Sequence, residues 1–135
     1  MRRLGLVLAG SLLMAPAALA EPVQEAAAAA EKWLAQVDAG QYGPSWDDAS
    51  AYFRGTVSKE LWSGQLTAAR TPLGKAVSRQ VSATQYATEL PGVPDGEYVV
   101  LQYSSAFANK KTAGETVTFQ KEPDGVWRVV GYFIR

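Results

Sequence analysis

The chain has no cysteine and no histidine among its 135 residues. Their absence excludes disulfide scaffolds, thiolate nucleophiles, Cys/His zinc sites, Ser-His-Asp triads and pH sensing by imidazole. A surplus of either charge is also missing, since 13 Lys and Arg face 13 Asp and Glu. A neutral chain lacks the positive field that nucleic-acid binding draws on, so no nucleic-acid partner is expected. The longest apolar stretch is about a dozen residues, well short of the ~20 that a spanning helix needs. Glycine-rich phosphate loops and the alternating carboxylates of calcium loops are absent too. The expectation is no cofactor, no metal and no assigned catalytic residue.

What the chain does have is 47% hydrophobic and 10% aromatic residues, enough for an ordinary core in one domain. Its start reads as an address. Arg2 and Arg3 precede an apolar stretch from Leu4 to Ala15, Pro16 breaks it, and Ala18-Leu19-Ala20 places small residues where a signal peptidase reads. Cleavage is expected between Ala20 and Glu21, leaving residues 21–135 as a single domain. Arg2-Arg3 could open a twin-arginine signal, but the flanking residues give that little support. No cysteine follows the expected cut, so no lipid anchor is expected. Removing residues 1–20 deletes two arginines and no acid, which leaves 11 basic against 13 acidic groups.

The two halves of the remainder differ in rhythm: residues 22–73 carry helical spacing and residues 75–135 carry strand alternation. Pro22 suits a first helical turn, and Ala27, Ala30, Leu34 and Val37 share a face with Trp33 beside it. Gly40 supplies a left-handed stop. A second, short helix is predicted from a capping box at Ser45 and Asp48, with Trp46, Ala49 and Phe53 on one side. Ser58 is a plausible cap for a third, in which Trp62, Leu66 and Ala69 align and which ends before Pro72. Pro94-Asp95-Gly96 and Pro123-Asp124-Gly125 are turn tripeptides. Strands are predicted over Lys75–Leu90, Glu97–Ala108, Glu115–Lys121 and Val126–Arg135, with Asn109–Gly114 as a polar connection. Val99, Leu101, Tyr103 and Phe107 fall on one face of the second strand. Trp127, Val129 and Phe133 fall on one face of the last, opposite Val130, Tyr132 and Ile134. Apolar residues on both faces place that last strand inside the sheet or under cover. The fold class is α+β: about three N-terminal helices packed on one face of a curved four-stranded antiparallel sheet.

Several segments are similar to one family. Gln41-Tyr42, Ser45-Trp46, Phe53, Trp62, Arg70 and Pro72-Leu73-Gly74 resemble the bacterial secreted family known as domain of unknown function 4019. So do Pro91-Gly92, Asp95-Gly96-Glu97-Tyr98-Val99-Val100, Glu115-Thr116-Val117 and the ending Trp127–Arg135. The resemblance covers about residues 30–135 and implies no activity, cofactor or catalytic residue, because that family brings none. Together with the leader it implies a bacterial periplasmic or secreted destination. The helices-then-sheet order also resembles the cone-shaped nuclear-transport-factor-2-like superfamily (cystatin-like in its helix-on-sheet layout), whose members include isomerases, ligand binders and inert partner domains.

Three charged residues and one phenol inside regular elements are the candidate ligand-binding set: Arg79, Glu115, Tyr132 and Arg70. Arg79 lies between Val77 and Val81 on one strand face, so its guanidinium needs a partner or a route to water. One reading pairs Arg79 with Glu115 structurally; another gives Arg70 or Arg79 an anionic ligand. Arg70 also suits a helix C-terminus. Asp47 and Asp48 are adjacent, so their side chains diverge and make no dyad. The four tryptophans are read as core first and as pocket lining second. The leading expectation is a non-enzymatic secreted module that binds a protein or small-molecule partner in the helix–sheet groove. The alternative is a histidine-free isomerase or lyase using Glu115, Tyr132 and Arg79. Self-association as a homodimer through the outer sheet face is a third.

Overall fold

A computed structural model describes residues 17–135. The leader's apolar stretch lies outside the described residues, and Ala20 and Glu21 are exposed near the start of the first helix. Four helical segments precede four strands: α1 Ala17–Asp38, α2 Tyr42–Asp47, α3 Ala51–Thr56, α4 Lys59–Arg70, β1 Ala76–Ala87, β2 Tyr98–Phe107, β3 Lys110–Lys121 and β4 Trp127–Ile134. The strands form one antiparallel sheet in the order β1-β2-β3-β4, and the helices cover one face of it. Among the described residues, no helix is long and apolar enough to cross a membrane.

The long helix α1 carries the expected stripe, with Ala26, Ala30, Trp33, Leu34 and Val37 all buried. The fully buried Ala26 and Ala30 let the helix lie close to the sheet. Because α1 begins at Ala17, Pro22 falls inside it instead of in its first turn. Gly40 stops it with φ +78°, and the paired bonds Gly40 N–H to Val37 C=O and Gln41 N–H to Gln36 C=O close a Schellman motif.

The short middle helix is two helices. Ser50 caps α3 by accepting from Phe53 N–H, whereas Ser45 lies within α2 and caps nothing. Its hydroxyl donates to Tyr42 C=O (2.6 Å) and accepts from the Trp62 indole (3.0 Å). Its carbonyl takes the Trp33 indole (2.9 Å). Ser58 caps α4 as expected. The buried stripe of α4 runs Trp62, Leu66, Arg70, a strict four-residue spacing, and Ala69 faces solvent.

Strand alternation holds except at bulges, and two of them displace a side chain from its expected face. In β4 Val129 pairs with Phe119 and Gly131 with Thr118, which leaves Val130 as the extra residue. The phase flips there, so Tyr132 joins Trp127 and Val129 on the helix-covered face and Phe133 turns outward, 51% exposed. The strand is also an edge, not an interior strand. In β1 Val77 is likewise bulged and leaves the face shared by Arg79 and Val81. The expected polar connection before Glu115 is mostly strand: β3 starts at Lys110, and only Ala108 and Asn109 turn the chain. That turn is pinned by Ala108 N–H on Lys75 C=O and Asn109 N–H on Leu73 C=O, both 2.8 Å. Of the two tripeptide turns, Gly125 takes φ +83° as expected. In the other loop the left-handed residue is Gly92, not Gly96.

Candidate functional site

The strand register brings the four nominated residues together. Glu115 on β3 stands opposite Tyr103 of β2 on one side and Ile134 of β4 on the other. Arg79 reaches it diagonally across β2, donating Nε–H to Oε1 (2.6 Å) and Nη2–H to Oε2 (3.1 Å). Ser105 donates to Oε1 (2.6 Å), and the Tyr132 hydroxyl donates to Oε2. The four bonds saturate a carboxylate that has no solvent exposure. Arg79 also grips Asp38 with both terminal nitrogens, Nη1 to Oδ2 at 2.9 Å and Nη2 to Oδ1 at 3.0 Å. Arg70 completes the set by donating Nη2–H to Asp38 Oδ1 (2.8 Å) with its guanidinium stacked 4.9 Å from the Phe107 ring centroid.

Two cations and two anions thus cancel inside the protein, and the cluster offers no net positive charge to an anion. Burial alone would raise both carboxyls, but the guanidinium hydrogen bonds prevail, holding Asp38 and Glu115 below their ordinary range. Burial opposes the charge on Arg79, but its two carboxylate partners push its pKa up regardless. Burial first, and the Glu115 charge second, push the Tyr132 phenol well up. Glu115 is therefore a poor general base: it is ionised, but no lone pair points at a reactant. Arg70 keeps two buried nitrogens, Nε and Nη1, without partners among the described residues.

The sequence reading overlooked Asp38 and Ser105. Asp38 ends a helix, where a negative charge meets the negative pole of the dipole, and that mismatch signals a cation from elsewhere. Ser105 is the one small polar residue in the inward row of β2, between Tyr103 and Phe107. Asp47 and Asp48 do go separate ways, to Lys59 (3.0 Å) and Gln36 (2.8 Å).

Two depressions flank α1. On one flank an open trench of about 1200 Å³ runs between α1, the α2–α3 corner and the β3–β4 turn. Its floor holds Trp33, Phe119 and Trp127, and the Trp127 indole donates to Glu25 at 3.0 Å. Gln36 lines it with a buried Oε1 that has no partner among the described residues. On the other flank a smaller hollow of about 300 Å³ lies beside Arg79 and Tyr103.

The family described as "protein of unknown function (DUF4019)" matches residues 29–132, which takes in the ion cluster and the lining of both depressions except Glu25, Ala27 and Ala28. The chain belongs to this family. No curated protein matches the chain. Every residue of the cluster, from Asp38 to Tyr132, falls within the matched span.

Proposed function

We propose that this family member is an extracytoplasmic binding module that holds an extended polypeptide segment in the trench beside α1. The trench itself carries the reading. It is large and open, as suits a chain more than a small ligand, and its floor is aromatic. Gln36 Oε1 stands ready to accept a backbone N–H from the bound segment. Five acidic side chains against three basic ones along the walls favour a segment carrying Lys or Arg. Residues 1–20 support export, and the layout of helices on a curved sheet supports placing the fold in the nuclear-transport-factor-2-like cone class.

The isomerase or lyase alternative needs Glu115 free to take a proton, and its carboxylate is already filled by four donors. Binding can be tested by cross-linking in the native cells with Ala28→Trp, an exposed change on the trench wall. Wild type should capture a partner that the variant loses, while Val77→Arg on the far strand retains it; equal capture by all three sinks the proposal. Export is tested by terminal sequencing of the fractionated protein, which should begin at Glu21. A cytoplasmic chain that keeps residues 1–20 would refute it.

A further inference from the structure

The hollow on the opposite flank of α1 is not part of the trench. Its walls are Ala27, Leu34, Ala35 and Val81, with Tyr103, Arg79 and Asp38 supplying polar groups. The Tyr103 hydroxyl donates no hydrogen bond within the described residues, although its ring is buried to 7% exposure. Arg79 has five N–H groups, of which four are spent on Glu115 and Asp38, leaving one on Nη1. Among the described residues Asp38 Oδ2 accepts only from that same Nη1, and the Asp38 side chain is 28% exposed. A donor and an acceptor 2.9 Å apart therefore sit beside a small apolar cleft, with Tyr103 a second donor residue in its lining.

We infer that this hollow binds a small neutral molecule carrying an amide on a short branched apolar body. The amide carbonyl accepts from Arg79 Nη1–H or Tyr103 O–H, and its N–H donates to Asp38 Oδ2. A carboxylate is disfavoured because the Arg79 charge is already shared by Asp38 and Glu115, and Glu31 adds a further negative charge at the rim. An ammonium is disfavoured because reaching Asp38 places it against Arg79, with Arg70 on the far side of the same carboxylate. The inference goes beyond the trench reading and does not depend on it.

Three probes of one carbon skeleton separate the possibilities: isobutyramide, isobutyrate and isobutylamine, titrated into ¹⁵N-labelled protein by NMR. Isobutyramide should shift Ala27, Leu34, Ala35, Val81 and Tyr103 with a Kd in the ~mM range suited to so small a ligand. The two charged probes should bind at least about tenfold more weakly. Tyr103→Phe should weaken the amide about fivefold, the size of one neutral hydrogen bond. Ala35→Met, an exposed helix position, should plug the cleft and abolish the shifts with the fold unchanged. Tighter binding of either charged probe, equal shifts by all three, no shift at all, or shifts that persist in Ala35→Met would each overturn the assignment. Trench variants such as Ala28→Trp should leave the titration unaltered, which keeps the two sites distinguishable.

Discussion

Two polar clusters tie the helices into place, and they use opposite chemistry. Around Ser45 everything is neutral: one serine receives the indoles of Trp33 and Trp62 and donates onward to Tyr42. Around Glu115 everything is ionic: two arginines, two carboxylates and two hydroxyl donors share a buried network. The neutral cluster adds hydrogen bonds to a packed aromatic group, with Trp33 and Phe53 rings against Trp62 at 6.4 and 4.9 Å. The ionic one depends on its charges staying paired, because Glu115 and Arg70, at no more than 5% side-chain exposure, become uncompensated buried charges when their partners go. The first therefore degrades gradually under substitution, and the second fails abruptly.

The largest expected effect follows from removing one ion. Glu115→Ala strands Arg79, Ser105 and Tyr132 and should cost about 3–5 kcal/mol in urea unfolding. The double variant Arg79→Met with Glu115→Leu should be more stable than Glu115→Ala. If the double variant is instead the least stable, the ionic cluster is a net stabiliser in its own right and differs from the neutral one only in degree. Ser45→Ala removes the acceptor for Trp62 without stranding a charge and should cost about 1–3 kcal/mol.

Acid should separate the clusters cleanly. Asp38 and Glu115 have folded pKa values below the ordinary 3.8 and 4.5, so their contribution is present above about pH 4.5 and fades as pH falls through those lowered values. Asp38→Asn should flatten that acid limb, whereas Ser45→Ala should shift the whole stability curve down and keep its shape. At the alkaline end Tyr132, held above its ordinary 10.0, adds a loss of stability that begins above about pH 10. The smallest effect is local: Gly40→Ala meets no atom within 4 Å, so its cost is that of the φ +78° backbone alone, about 1 kcal/mol. Thermal unfolding measures it, and a much larger loss would mean that the α1 stop also positions Asp38.

The order of elements was legible because both periodicities are strong: α1 and α4 show four-residue stripes and β2 alternates without a break on its core side. The helix stop at Gly40 and the helix start at Ser58 were legible from backbone chemistry. The bulges were not, since an extra residue leaves no mark on composition and shows only when the partner strand is known. Phe133 was misplaced for that reason. Within the site, Arg79, Glu115 and Arg70 stood out as charged groups inside regular elements, and Tyr132 as a phenol to pair with Glu115. One network joins all four, Tyr132 reaching it because the Val130 bulge flips its face. Asp38 escaped because α1 and the sheet converge on it only in three dimensions. The two depressions escaped for the same reason: the walls of the trench are drawn from α1, the α2–α3 corner and the β3–β4 turn, which nothing local in the chain relates.

The bulge at Val130 also sets where this gene can lose a codon. Deleting Val130 would leave Val129 opposite Phe119 and Gly131 opposite Thr118, an unbroken ladder with every neighbour kept on its own side. Losing Val129 instead gives the same chain, since the two valines are adjacent and identical. Deleting Tyr132 offers no such repair, because the frame of side chains after it slips and the phenol that donates to Glu115 is lost. In β4, a one-residue deletion is therefore most readily accommodated at Val130, and natural variation in strand length should collect there.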